Sequence, residues 1–366
     1  MAGPVRQPID VQALEEYIRQ NVPEIRTPLE VKQFGYGQSN PTYQLTSAAP
    51  TGQRYVLRKK PPGRLLSRTA HQVEREYRVI AALGSTDVPV PRAYCLCEDD
   101  SVLGTPFYVM EFLDGRIFED HAMPGVSPEE RTELWRDAVR TLARFHRVDF
   151  RKVGLASFGI HGFYDRQLAT WKQICGAQAK AVDADTNEPV GQIPYFEELV
   201  RFFSDKKLQP RDRATLVHGD YKIDNMVFHK TEPRVIGILD WEMSTIGHPL
   251  SDVVNLTYPY HTAGLGPTSN PSFLPGTTPG LPRPETILAW YAEAAGYDPR
   301  PEIDWAIAFG VFRSAAILQG IAARVARRQA TSEQAKAYAD AFKPSGEKAW
   351  DLVSKQKILT ESKAKL

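Results

Sequence analysis

Residues 216–242 read LVHGDYKIDNMVFHKTEPRVIGILDWE. Three side chains in this stretch can do chemistry together. Asp220 closes a His218-Gly219-Asp220 triplet, Asn225 follows five positions later, and Asp240 sits between Leu239 and Trp241. Each alone is ordinary turn material, because Asp and Asn bond their own backbone and tolerate tight turns. In this order they also make a general base and a pair of hard oxygen ligands. Such oxygens suit Mg²⁺, which keeps several waters. A base that orients a hydroxyl, with a cation that neutralises phosphate oxygens, is what phosphoryl transfer from a nucleotide requires. Leu216-Val217, Met226-Val227-Phe228 and the run from Ile236 to Leu239 are apolar and β-prone, and they set the three residues at strand ends.

The elements that must hold these residues follow from the pattern on either side. DVQALEEYIRQNV predicts a short helix capped by Asp10. The segment 29–63 alternates apolar and polar residues, turns at Gly35 and Gly37, and predicts a twisted hairpin or three-stranded meander. HQVEREYRVIAALG is helical, with Val73, Tyr77, Ile80 and Ala81 on one stripe and Gly84 at its end. PRAYCLCEDD and TPFYVMEFLDG predict two more strands, with Cys95 and Cys97 on one face. Ser127-Pro128-Glu129-Glu130 is a capping box that opens a helix. Further helical patterns cover 165–180 and 194–204, another starts at Pro284, and a long apolar one follows from PEIDWAIAFGVF. The Gly/Pro/Ser/Thr-rich segment 261–285 reads equally as a functional loop or a surface excursion. The expected fold is α+β and two-lobed. Residues 1–113 form an antiparallel sheet with one embedded helix, and residues 114–366 form a mostly helical lobe.

Composition narrows the partners. The 366 residues carry 45 Lys plus Arg against 44 Asp plus Glu, a balance that argues against nucleic acid or a membrane surface as partner. Three cysteines are too few and too scattered for a disulfide framework or a thiolate metal site, which fits a reducing cytoplasm. No apolar leader opens the chain and no run of 18 apolar residues predicts a membrane span. The terminal Ala364-Lys365-Leu366 resembles a peroxisomal address, meaningful only in a eukaryote; a solvated basic tail is the preferred reading.

His218-Gly219-Asp220 with Asn225 resembles the H-R-D-x-x-x-x-N catalytic loop of protein kinases, with Gly in place of Arg. Together with Asp240-Trp241-Glu242 it resembles the aminoglycoside phosphotransferase (choline kinase-like) family. That resemblance implies a protein kinase-like fold, ATP and Mg²⁺. It implies Asp220 as base and Asn225 and Asp240 as metal ligands. Phe34-Gly35-Tyr36-Gly37-Gln38-Ser39-Asn40 resembles the loop that covers the phosphates, which carries over nucleotide contacts to Gly35, Gly37 and Ser39. Arg58 stands where the family usually has Lys, and an Arg can clamp phosphate through its fork. Glu76 matches the helix Glu that pairs with this cation, Glu74 being the other candidate. Met110, Glu111 and Leu113 resemble the hinge that receives adenine. Asp252 matches an Asp that braces the catalytic loop, and His248 stands where the family often has Asp.

The family acts mostly on hydroxyls of small molecules. YVLRKKPPGRLLSRTAHQVEREYRV and ILDWEMSTIGHPLSDVVNL resemble the kinase domain that some eukaryotic proteins carry ahead of an acyl-CoA dehydrogenase domain. This implies a hydroxyacyl-CoA as acceptor, with Lys59, Lys60 and Arg64 either facing CoA phosphates or solvated. The alternatives are an aminoglycoside- or choline-type kinase, and a non-catalytic nucleotide-binding protein on the same fold.

Overall fold

The computed structural model of the chain describes residues 2–35, 40–63, 72–159, 161–265, 269–330 and 334–364, with side chains only as far as residue 356 in the last helix. The elements run β1 (Ala2–Gly3), α1 (Val11–Asn21), β2 (Leu29–Phe34), β3 (Thr42–Ser47), β4 (Arg54–Lys59), α2 (Val73–Leu83), β5 (Ala93–Cys97), α3 (Asp100–Leu103) and β6 (Phe107–Glu111). Then come α4 (Pro128–Arg147), α5 (Phe163–Ala179), α6 (Phe196–Ser204), β7 (Thr215–Val217), β8 (Met226–Phe228), β9 (Val235–Ile238) and β10 (Thr245–Gly247). The chain ends in α7 (Leu250–Thr262), α8 (Pro284–Ala295), α9 (Ile303–Ala326), α10 (Ala335–Asp340) and α11 (Phe342–Ala364).

Two compact units result. The first comprises residues 1–119, 148–156 and 223–244; the second comprises 120–147, 157–222 and 245–366. The chain passes from the second unit to the first between Lys222 and Ile223, inside the stretch singled out from the sequence.

The first unit is built on a six-stranded sheet of order β1-β2-β3-β4-β6-β5, in which every pair is antiparallel. The meander expected over 29–63 is β2-β3-β4. β3 alternates buried and half-buried residues, as a strand with one covered face should. α1 covers that face: Leu14 and Ile18 pack with Leu45, Tyr55, Leu57, Phe107 and Val109. Its first turn is closed by the Asp10 carboxylate, which accepts the Ala13 N–H at 2.9 Å. α2 is the embedded helix, and α1 and the four-residue α3 join it in this unit. β8 and β9 form a separate two-stranded ladder in the same unit. The Cβ of any side chain added at Gly237 on β9 would lie 1.9 Å from Leu113 Cδ1, so glycine permits the contact.

The second unit is helical around a small β7–β10 pair. α4 starts as expected, with the Glu130 N–H donating to Ser127 Oγ at 3.2 Å, and buries Leu134, Trp135, Ala138, Val139, Leu142 and Phe145. α9, the long apolar helix expected from the sequence, has the length and mean hydropathy of a membrane span, although Arg313 breaks any continuous apolar run of 18 residues. Yet 61% of its apolar window is buried within the protein, which is what a core helix does. Described parts of the segment 261–285 are tied down. Phe273 is buried against Trp135 and Tyr260, the Arg131 guanidinium donates to the Pro279 carbonyl, and the Tyr260 hydroxyl donates to the Pro282 carbonyl at 2.6 Å. Lys365 and Leu366 lie outside the described residues.

Candidate active site

In the first unit, β4 points Arg58 inward beside Tyr108, its register partner on β6. Its guanidinium reaches two carboxylates. Nη1 donates to Glu76 Oε1 at 2.6 Å and Nη2 donates to Asp240 Oδ1 at 2.9 Å. These partners lie 18 and 182 residues away in the chain. Glu76, on α2, is fully enclosed and also accepts the Trp241 N–H at 3.3 Å. Glu74 faces outward to Lys60, which settles the choice between the two helix glutamates.

The charges follow from this enclosure. Burial, with Asp240 and Glu242 nearby, pushes the Glu76 carboxyl up to about 7 although Arg58 pulls it down. Burial disfavours the Arg58 cation, but Glu76, Tyr108 and Asp240 outweigh it and hold the guanidinium firmly charged. Arg58 Nε is buried without a hydrogen-bond partner among the described residues, and the buried Tyr108 hydroxyl stands beside the Glu76 carboxyl.

Asp240 takes the left-handed backbone conformation, φ 65 and ψ 59, unusual for a residue with a side chain and of the sort concentrated at functional sites. Its side chain is 34% exposed, so one oxygen serves Arg58 while the carboxylate still meets solvent. Asn225 immediately precedes β8, Asp240 follows two residues after β9, and the Leu239 N–H donates to the Asn225 carbonyl at 2.9 Å. Among the described residues no three or more His, Cys, Asp or Glu gather to hold a metal. Two hard oxygen donors fit Mg²⁺, which binds through one or two protein ligands together with substrate phosphates.

The remaining expected nucleotide residues belong to this unit. Among the described residues nothing lies within 4 Å of where a Cβ on Gly35 would stand; Gly37 and Ser39, with Arg64, lie outside the described residues. Phe34, just before Gly35, stacks on Phe112 with ring centroids 6.4 Å apart. Met110 is buried opposite Val56. The Glu111 N–H donates to the Arg92 carbonyl at 2.8 Å and the Glu111 carboxylate accepts the Arg92 N–H at 3.1 Å, so Glu111 is tied to the sheet edge. Leu113 rests against Gly237. Lys59 is buried with Nζ donating to the Leu103 carbonyl at 2.7 Å, neither a phosphate contact nor a solvated charge.

Asp220 belongs to the second unit. The loop before it is held by Asp252 on α7: Oδ2 accepts the His218 N–H at 2.7 Å and Oδ1 the Gly219 N–H at 2.9 Å. Gly219 has φ 87, a conformation glycine adopts without strain. His146 on α4 stands 3.2 Å from Asp252 through Nε2 and 2.7 Å from the Tyr291 hydroxyl through Nδ1. A carboxylate only accepts, so Nε2 carries the proton. Burial pushes the Asp252 carboxyl up, but His146 and His218 bring it below its ordinary value. The Asp220 carboxylate is 40% exposed, 3.4 Å from Lys222 Nζ.

The model of the phosphotransferase enzyme family matches residues 30–285. The chain belongs to that family. Its chemistry is kinase-like phosphotransfer. Acyl-CoA dehydrogenase family member 11 of Rattus norvegicus is 38% identical over 344 residues, 92% of this chain and 42% of that protein, so the chain spans about two fifths of the relative's length. A solved Ralstonia eutropha protein, described provisionally as an aminoglycoside phosphotransferase, is 36% identical with a TM-score of 0.81 over 95% of this chain and 99% of that one. The ADP-bound aminoglycoside phosphotransferase APH(2'')-Ib shares the fold at 14% identity and a TM-score of 0.59, over 93% and 99%. The expected α+β kinase-like fold is therefore the fold of this family member.

Sequence reasoning missed Tyr108, His146, Asn255 and Arg313. Tyr108 and Arg313 sit in apolar runs that read as core. His146, in the last turn of α4, carried no motif signal beyond its helix position.

Proposed function

We propose that the chain transfers the γ-phosphoryl group of ATP to a hydroxyl of a small molecule, and that the acceptor is a hydroxyacyl-CoA. One observation carries this reading: Arg58 joins Glu76 and Asp240, three residues distant in sequence that the catalytic motifs require to act on one nucleotide. The ADP-bound neighbour and the relative named as an acyl-CoA dehydrogenase family member add support for the nucleotide and the acceptor.

In this reading Asp220 orients the acceptor hydroxyl and takes its proton. Arg58, kept straight by Glu76, presents its cation to the phosphates. Asn225 and Asp240 hold Mg²⁺, which when bound neutralises charge on the phosphate oxygens. Asp252 fixes the backbone that carries Asp220.

The test is ADP formation from Mg-ATP across hydroxyacyl-CoAs, aminoglycosides and choline. Asp220→Ala is expected to lower turnover by about 10²–10⁴-fold, the range for a general base, and to leave nucleotide binding unchanged. Full turnover in that variant would sink the base assignment. Mg-ATP binding with no acceptor turned over would favour a non-catalytic nucleotide-binding protein.

A further inference from the structure

Arg313 lies on α9, in the second unit, within a largely apolar helix. Its Nη2 donates to the Gly219 carbonyl at 3.0 Å and its Nη1 to Asn255 Oδ1 at 3.1 Å. Asn255, on α7, donates Nδ2 to the same Gly219 carbonyl at 2.9 Å. The carbonyl immediately before Asp220 thus takes two hydrogen bonds, one from each helix, while the Gly219 N–H is held by Asp252. Both peptides flanking Gly219 are pinned.

The cation is unusual in what surrounds it. Among the described residues Arg313 forms no salt bridge, although burial disfavours its charge. The nearby Asp220 and Asp252 carboxylates offset only part of that cost, and the guanidinium stays below its ordinary value. Arg313 also borders a small cavity of about 20 Å³ with Phe163, Tyr164, Val254 and Phe309, and no acidic residue lines it. A guanidinium is a rigid fork suited to holding a carbonyl, and a fixed cation beside the base repels an acceptor of the same sign. Repulsion of a wrong partner is a means of selection in its own right.

We propose that Arg313 positions Asp220 through the Gly219 carbonyl and sorts acceptors by charge, admitting neutral or anionic hydroxyl compounds and repelling cationic ones. This rests on the reading of Asp220 as base.

The experiment compares wild type, Arg313→Gln and Arg313→Lys by amide hydrogen exchange over residues 216–226, and by kinetics with a 4-hydroxyacyl-CoA as acceptor and choline as cationic probe. Arg313→Gln is expected to speed exchange in that segment and to lower kcat by about 10- to 100-fold, with KM for Mg-ATP changed less than about twofold. Choline inhibition is expected to tighten several-fold in Arg313→Gln and to stay weak in Arg313→Lys, which keeps the charge. Unchanged exchange and kcat in Arg313→Gln would overturn the positioning role. Unchanged choline inhibition would overturn the charge sorting. Faster exchange in Arg313→Gln, with a wild type that phosphorylates no acceptor, would uphold the positioning and overturn the functional reading instead. Should Arg313→Gln fail to fold, Asn255→Ala loosens the same carbonyl and is read by the same exchange.

Discussion

Glu76 in the first unit and Asp252 in the second are both carboxylates shut away from water, 1% and 0% exposed, but they are held by different kinds of partner. Glu76 faces a full charge, Arg58, that it shares with Asp240. Asp252 faces mainly backbone: two successive N–H groups of the catalytic loop, with His146 behind. The first arrangement sets where a cation stands. The second sets the path of a main chain. Their electrostatics diverge accordingly, since burial, with Asp240 and Glu242 nearby, pushes Glu76 up to about 7, whereas donors converge on Asp252 and hold it below its ordinary value against its own burial.

The comparison breaks most sharply at Asp252. Asp252→Ala strands two buried N–H groups and the His146 ring at once. Denaturant unfolding is expected to show a loss of about 3–5 kcal/mol, as for removal of one partner from a buried charged network. A loss under about 1 kcal/mol would mean that the loop is held by other contacts.

Next in size is a difference in pH dependence. Glu76 titrates near 4.5 unfolded and about 7 folded. Between those values the folded state binds more protons, so this group's contribution to stability falls as pH rises through the window. Asp252 has the opposite sign: its folded value lies below 3.8, so its contribution is full above 3.8 and is lost as pH falls through the folded value. Glu76→Gln is expected to gain on wild type by about 1–3 kcal/mol between pH 5 and pH 8, measured as melting temperature against pH. A pH-independent difference between the two proteins would contradict the raised Glu76 carboxyl.

The smallest effect is expected at Asp114, which meets Arg54 and Lys230 in the first unit but stands at the surface. Asp114→Asn should leave the denaturant midpoint unmoved within error at moderate salt, because solvent screens exposed pairs. A clear shift there would blur the distinction between enclosed and surface networks.

Much of this was legible before any coordinates. The meander β2-β3-β4 follows from alternation, the start of α4 from its capping box, and α9 from its apolar run. Asp220, Asn225 and Asp240 stood out because their spacing is local and spans two short strands. The inward turn of Glu76 rather than Glu74 was not legible: on one helix turn either could face Arg58, and only packing of α2 on the sheet decides. The Asn255–Arg313 clamp was hidden for a related reason. Two polar residues 58 positions apart, on two different helices, carry no periodic signal that they share one carbonyl.

What the amino-acid sequence determined by itself is the order of chemical parts and the class of reaction, because motif spacing within one loop is a property of the chain. Which carboxylate carries the raised pKa, and the sharing of the Gly219 carbonyl by Asn255 and Arg313, were decided by tertiary structure alone. Burial and hydrogen-bond geometry arise only when residues such as Arg58 and Asp240, 182 positions apart, are packed against each other.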